Sequence, residues 1–287
     1  MDRIVLAPIL RLLAVQGGVI PPVPLFMGLS SAILATMLAM AYSLSHVSTP
    51  LAIVSFGFGG LLFWRKLVRA CGLHARRESY LLAMPQQPDA VRIVCIANTH
   101  GKHAFVDVPL GDVLVVAGGC TKSGRHDEAE AFNAWLSGLP HAHKVVVPGE
   151  HERSLDLTIL LPSATVLLDE SLTIESIHLF GASSKSLEWR DVPRSTDILV
   201  TPMPPLGILD TTFTGHHVGH EELLKAVLST LRPTFHVFGM AQASYGHKTL
   251  GATTFVNAAI CTALEQPTNA PMVFDCIRKH HPVVKSE

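Results

Sequence analysis

The chain has 287 residues and a formal net charge of −1, with only 16% of residues charged against 48% hydrophobic. A near-neutral balance gives no global basic field, which argues against a nucleic-acid partner. Soluble chains carry about 25% charged residues, so this composition, with a mean hydropathy of +0.35, predicts apolar surface facing lipid.

After an N-terminal segment (1–20), the stretch from Val19 to Trp64 contains no Asp, Glu, Lys or Arg. The run Val23 to Leu44 would span about 33 Å as a helix, which matches a hydrocarbon core. A shorter, Gly-rich apolar run, Leu51 to Trp64, follows Ser48-Thr49-Pro50, a helix-start signal with Pro in the first turn. Residues 21–66 are read as a transmembrane segment of one or two helices, a buried core helix being the alternative. A secretory signal does not fit, because the apolar run starts late and exceeds the usual length. Arg65, Lys66, Arg69, Arg76 and Arg77 follow with no acid among them. By the positive-inside rule this basic juxtamembrane linker (67–90) lies on the cytosolic side, and so does everything after it. Arg3 and Arg11 would share that side if there are two spans. Cys71 lies within the basic segment, where palmitoylation is an option and an unmodified thiol the plainer one. The five cysteines form no C-x-x-C pair and no disulfide framework, which favours a reducing compartment.

A globular domain (91–277) follows, with a polar tail (278–287). Val- and Ile-rich runs of strand length recur at Ile93–Ala97, Val113–Ala117, Lys144–Val147, Thr165–Leu168, His178–Phe180, Asp197–Thr201, Phe235–Phe238 and Thr254–Asn257. Helical periodicity covers Glu128 to Leu139 and Glu221 to Leu231. The segments 165–168 and 172–180 read as a hairpin, and so does "GHKTLGATT". Strands mixed with helices predict an α/β fold with a mixed sheet. Polar loops "ANTHG", "GGCT", "GEHE", "TPMPP" and "GMAQASYG" fall at strand ends, where open α/β sheets place their chemistry. "GHHVGHEE" sets His216 and His220 at the spacing of one helical turn, as zinc sites do, although this stretch is read as scaffold.

Together these loops and the segments around them, including "FNAWLSGLPHAHKVVVPGEHE", "LLDESLTIESIHLFGA", "STDILVT" and "RPTFHVFG", resemble the calcineurin-like metallophosphoesterases. The resemblance is to the metallophosphoesterase-domain-containing type, akin to class III cyclic nucleotide phosphodiesterases. It covers Arg92 to about Asp275 and implies a four-layer αββα sandwich with mixed sheets. It also implies two divalent cations (Mn, Fe, Zn or Mg) held by D-x-H, G-D, G-N-H, T-H-x-P-P and G-H-x-H motifs, acting on phosphoric esters.

Residue by residue, the carry-over departs from that pattern. Asn98 stands where the first Asp would, and His100 is kept. Gly119 takes the place of the bridging Asp. Glu150 replaces the Asn of G-N-H, while His151 matches the catalytic His. Pro202 stands in the position of the His of T-H-x-P-P, and Met240 and Gln242 in those of the two His of G-H-x-H. The expectation is a catalytically impaired, membrane-anchored pseudo-phosphoesterase whose domain faces the cytosol and binds an unidentified protein or nucleotide. No cofactor is expected beyond at most one weakly held cation on His100, Asn98 and Glu150. A weak single-metal phosphodiesterase using His100, Glu150 and His151 is the alternative, and a domain serving only as a spacer is a third reading. His151 is expected to bond Glu150 or Glu152. The Ser183–Glu188 loop is shorter than the family's aromatic-rich counterpart.

Overall fold

The computed structural model describes residues 86–183 and 188–278, all within the unit Glu78–Glu287. The two apolar runs, the basic segment with Cys71, residues 184–187 of the short loop and the tail beyond Arg278 lie outside the described residues. Among the described residues no helix is long and apolar enough to cross a membrane.

The chain first lays down β1 (Ala90–Ile96), β2 (Val113–Ala117), β3 (His143–Val147) and β4 (Thr165–Val166). It then builds β5 (Glu170–Ile174), β6 (Ile177–Gly181), β7 (Ile198–Val200), β8 (Phe235–Phe238), β9 (Gly246–Leu250) and β10 (Thr253–Asn257), and returns with β11 (Met272–Ile277). Two mixed sheets result. The first runs β11-β1-β2-β3-β4 and the second β5-β6-β7-β8-β10-β9. The inner strands run parallel, and the antiparallel partners β11, β5 and β9 sit at edges.

The two sheets pack face to face because their strands are apolar on both sides. Ile93, Cys95, Val113, Val115, Val145 and Val147 from the first sheet share one core with Leu179, Ile198, Val200, Val237 and Val256 from the second. The alternate residues of the first sheet, Val94, Leu114, Val116 and Val146, pack against Phe132 and Leu136 of α1 (His126–Ser137) and Leu157 of α2 (Leu157–Leu160). On the far side, Phe180, Leu199, Phe238 and Phe255 meet Leu223 of α3 (Glu221–Lys225) and the π-helical turn Ala226–Leu231 that continues it. Period-2 side-chain alternation thus feeds the inter-sheet core and an outer helical layer from the same strands.

Several expectations need correction. Residues 165–168 do not pair with 172–180. Thr165–Val166 joins β3 in the first sheet, and the hairpin is β5 with β6, turning at Glu175 and Ser176, both at positive φ. Asp169, also at positive φ, lies where the chain leaves one sheet for the other, a change of partner that apolar periodicity does not encode. The Glu221–Leu231 helix is α-helical for its first five residues only. His216 and His220 are not one helical turn apart on a helix, because α3 starts at Glu221 and His220 is its N-cap. The edge strand β11 does not stand out in the sequence reading, and β5 and β9 enter it only as parts of hairpin segments. β9 is almost wholly exposed, so it lacks the apolar run that marks a buried strand. "GHKTLGATT" does form a hairpin, β9 with β10.

Candidate functional site

The carboxyl ends of β1, β2, β3, β7 and β8 open onto one pocket of about 270 Å³, lined by Asn98, His100, Gly119, Gly149, Glu150, His151, Pro202, Met240 and Gln242. Every residue that the family resemblance places at a ligand or catalytic position is among them. The segment after β10 joins the two sheets at this end. Ala97 N–H donates to Ala258 O at 2.8 Å, Ile260 N–H to Ala97 O at 2.8 Å, and Ala258 N–H to Phe238 O at 2.8 Å.

The loops meet backbone to backbone. Gly118 and Gly119 are left-handed, with φ of +73° and +66°, and a Cβ on Gly119 would lie 3.0 Å from Asn98 Cα. Asn98 (φ 51°), His100 (φ 46°) and Met240 (φ 60°) are left-handed as well. Non-glycine residues held this way cost of order 1–3 kcal/mol each and cluster at binding and catalytic sites.

A buried carboxylate organises the floor. Glu152 is 1% exposed and accepts from Gly119 N–H, Gly149 N–H, Thr121 N–H and the Thr121 hydroxyl at 2.7–3.1 Å. It ties the loop after β2 to the loop after β3. Its negative charge acts with burial to push the neighbouring Cys120 thiol well above its ordinary value. Sequence reading names Glu152 only as a neighbour of His151. The clue is a carboxylate just past a Gly-rich strand end, where free backbone N–H groups need an acceptor.

The hydrogen-bond network fixes the side chains above that floor. Asn98 Oδ1 accepts from Met240 N–H at 2.9 Å, so its amide nitrogen faces His100 Nε2 at 3.3 Å. Gln242 Nε2 lies 2.7 Å from the same imidazole nitrogen. Amide nitrogens only donate, so His100 Nε2 is an acceptor and the ring is neutral. Burial, then the nearby His151, hold its pKa below the ordinary value against an opposing hydrogen bond to the Thr121 backbone. The His151 ring sits 4.8 Å from that of His100, centroid to centroid. His151 Nδ1 bonds the Lys122 carbonyl at 2.7 Å rather than Glu150 or Glu152, because Glu152 is saturated by backbone donors. Glu150 is bonded to Arg153.

Two further buried side chains support the neighbouring loops, and neither was visible in sequence. Asp210, fully buried, accepts from His217 Nδ1 at 2.8 Å and from Gly207 and Gly219 N–H. His236 Nε2 bonds Thr201 Oγ1, 2.9 Å away, next to Pro202.

Metallophosphoesterase domain-containing protein 1 of Homo sapiens is 32% identical to this chain over 236 residues, covering 67% of the chain and 72% of that protein. The UPF0046 protein K07C11.7 of Caenorhabditis elegans is 34% identical over 218 residues, covering 64% and 74%. The chain belongs to the metallophosphoesterase domain-containing protein family. No protein-family model matches it. Among solved structures, Vps29 of Chaetomium thermophilum is 14% identical with a TM-score of 0.30, over 59% of this chain and 68% of that one. That likeness is too slight to carry an argument.

The family implies a pair of divalent cations, and the donor set here fits them poorly. The pocket offers two imidazoles, two amides, a thioether and one arginine-bound carboxylate. Gly119 and Pro202 carry no donor group on their side chains. Among the described residues no group of three or more His, Cys, Asp or Glu is arranged to hold a metal ion.

Proposed function

We propose that this chain is a membrane-anchored member of the family whose phosphoesterase-like domain faces the cytosol, has lost two-metal hydrolysis, and serves as a binding module for a protein or nucleotide. The observation that carries this reading is the charge of the pocket. Two dications about 4 Å apart repel by roughly 16 kcal/mol at an effective dielectric of 20, and bridging and terminal anions must offset that. The one carboxylate in the lining, Glu150, is already bonded to Arg153. Glu152 cannot turn to help, because four donors hold it in the floor. The membrane anchor and the orientation rest on the charge-free stretch Val19 to Trp64 and the basic cluster after it.

A second reading, a weak phosphodiesterase with a single cation, is favoured by His100 and His151 lying side by side with Glu150 in the same pocket. Metal analysis of the purified full chain after manganese loading, combined with a chromogenic phosphodiester assay, separates the two. The expected result is less than one retained manganese per chain and no turnover above that of His151→Ala. Manganese-dependent turnover that His151→Ala abolishes would favour the second reading. Two tightly held manganese ions together with that turnover would overturn the loss of the two-metal centre.

A further inference from the structure

We propose that the domain rests on an anionic lipid surface with the end opposite the pocket, through Leu110, Leu250 and Ile277 and the basic side chains around them. The proposal rests on the reading that the chain is membrane-anchored, and it names which end of the fold meets the bilayer. The amino ends of the two sheets lie together, because Arg278, just past β11, bonds Glu175 in the β5–β6 turn. Leu110 lies two residues before Asp112, whose N–H donates to Arg92 O in β1 at 3.0 Å. Ile277 closes β11 opposite Ala90, the first residue of β1, and Leu250 leads into the β9–β10 turn. All three therefore stand at this end, and all are exposed, Leu110 at 74% and Ile277 at 63%. One exposed leucine needs no explanation, whereas several at one end of a fold mark a contact surface.

What covers that end follows from where the chain enters it. The residues before Gln86, with the charge-free stretch Val19 to Trp64 and the basic cluster after it, join the domain here. Gln86 is held at the same place, its Nε2 donating to Asp112 Oδ2 at 2.7 Å and to Ala90 O at 2.9 Å. Gln87 N–H donates to Asp275 Oδ2 at 3.2 Å. Phe213, in the loop after β7 at the pocket end, is just as exposed, but the chain does not enter there. Charge points the same way. Lys144 lies at the start of β3, Arg194 precedes β7 and Arg232 precedes β8, which sets three cations at the amino end. Of the acids there, Asp112 is engaged by Gln86, Asp275 by Arg92 and Glu175 by Arg278. Anionic headgroups attract Lys and Arg near the surface, and apolar side chains reaching the acyl boundary add to that attraction. The pocket, at the carboxyl ends of the strands, opens away from the bilayer and toward a soluble ligand rather than a headgroup.

The test uses the full chain in vesicles of phosphatidylcholine and phosphatidylserine with brominated acyl chains. It reads bromine quenching of a tryptophan added by Leu110→Trp or by Phe213→Trp, after subtracting the parent's signal from Trp64, Trp135 and Trp189. Both positions are exposed, so both variants are expected to fold, with matching thermal unfolding as the check. Leu110→Trp is expected to be quenched roughly twofold more strongly than Phe213→Trp, and less so when phosphatidylserine is left out. Equal quenching of the two, or stronger quenching of Phe213→Trp, would overturn the orientation. Quenching indifferent to phosphatidylserine would overturn the role of Lys144, Arg194 and Arg232. A chain that floats with the vesicles while neither tryptophan is quenched overturns this proposal alone, and crosslinking of that chain to itself would assign the end to a second copy. A chain that does not float with the vesicles overturns both this proposal and the anchor beneath it.

Discussion

Glu152 shows how one side chain can organise the floor of a pocket. Its carboxylate accepts four hydrogen bonds while almost fully buried. Bonds to a charged acceptor contribute about 1.5–3 kcal/mol each, and a buried donor left unpaired costs about 1–3 kcal/mol. Glu152→Gln offers one acceptor oxygen and turns an NH2 toward an N–H. It is expected to lower unfolding free energy by about 2–4 kcal/mol in denaturant titrations, against less than about 1 kcal/mol for the surface-paired Glu150→Gln. Equal effects would mean that the floor is not organised as described. The pocket-lining residues were legible in the sequence because they sit in short motifs at strand ends. Glu152 was not, because its role depends on backbone donors from a loop more than thirty residues earlier.

At the scale of elements, β8 carries a titratable group into the outer core of the second sheet. His236 is fully buried beside Phe238 and Phe255, and its Nδ1 has no hydrogen-bond partner. Burial pushes its pKa down to about 3. In the unfolded chain the ring titrates near its ordinary value of about 6.5. Between those values the unfolded state binds a proton that the folded state refuses. The stability linked to this group is therefore complete above about pH 6.5 and falls as pH drops, by up to about 1.4 kcal/mol per pH unit. His236→Gln keeps a nitrogen donor for Thr201 and cannot titrate. Its unfolding free energy, measured from about pH 6 to about pH 4, is expected to fall less steeply than the parent's by that amount. Parallel slopes would refute the assignment. The sequence shows a His inside an apolar strand but not which face it takes, since both faces of β8 are buried.

For the whole molecule, the central question is how two sheets built from successive parts of the chain become one body. β11 answers it by returning to the first sheet, antiparallel to β1, where Arg92 and Asp275 pair at 2.8 Å. Phe274 on β11 stacks on Phe235 of the second sheet, with ring centroids 3.8 Å apart. Phe274→Ala is expected to cost about 3–5 kcal/mol while leaving a single unfolding transition by circular dichroism and fluorescence. Two separated transitions would show that the sheets fold independently. The sequence by itself determined the α/β class, most of the buried strands, the family resemblance and the residues that line the pocket, because apolar runs and short polar motifs are local signals. Only the tertiary structure decided which strands pair, since Thr165 to Ile174 divides between two sheets with no change in its apolar pattern. It alone also decided how His100, Gln242 and Glu152 share their hydrogen bonds, because donors and acceptors far apart in the chain meet only once the sheets have packed.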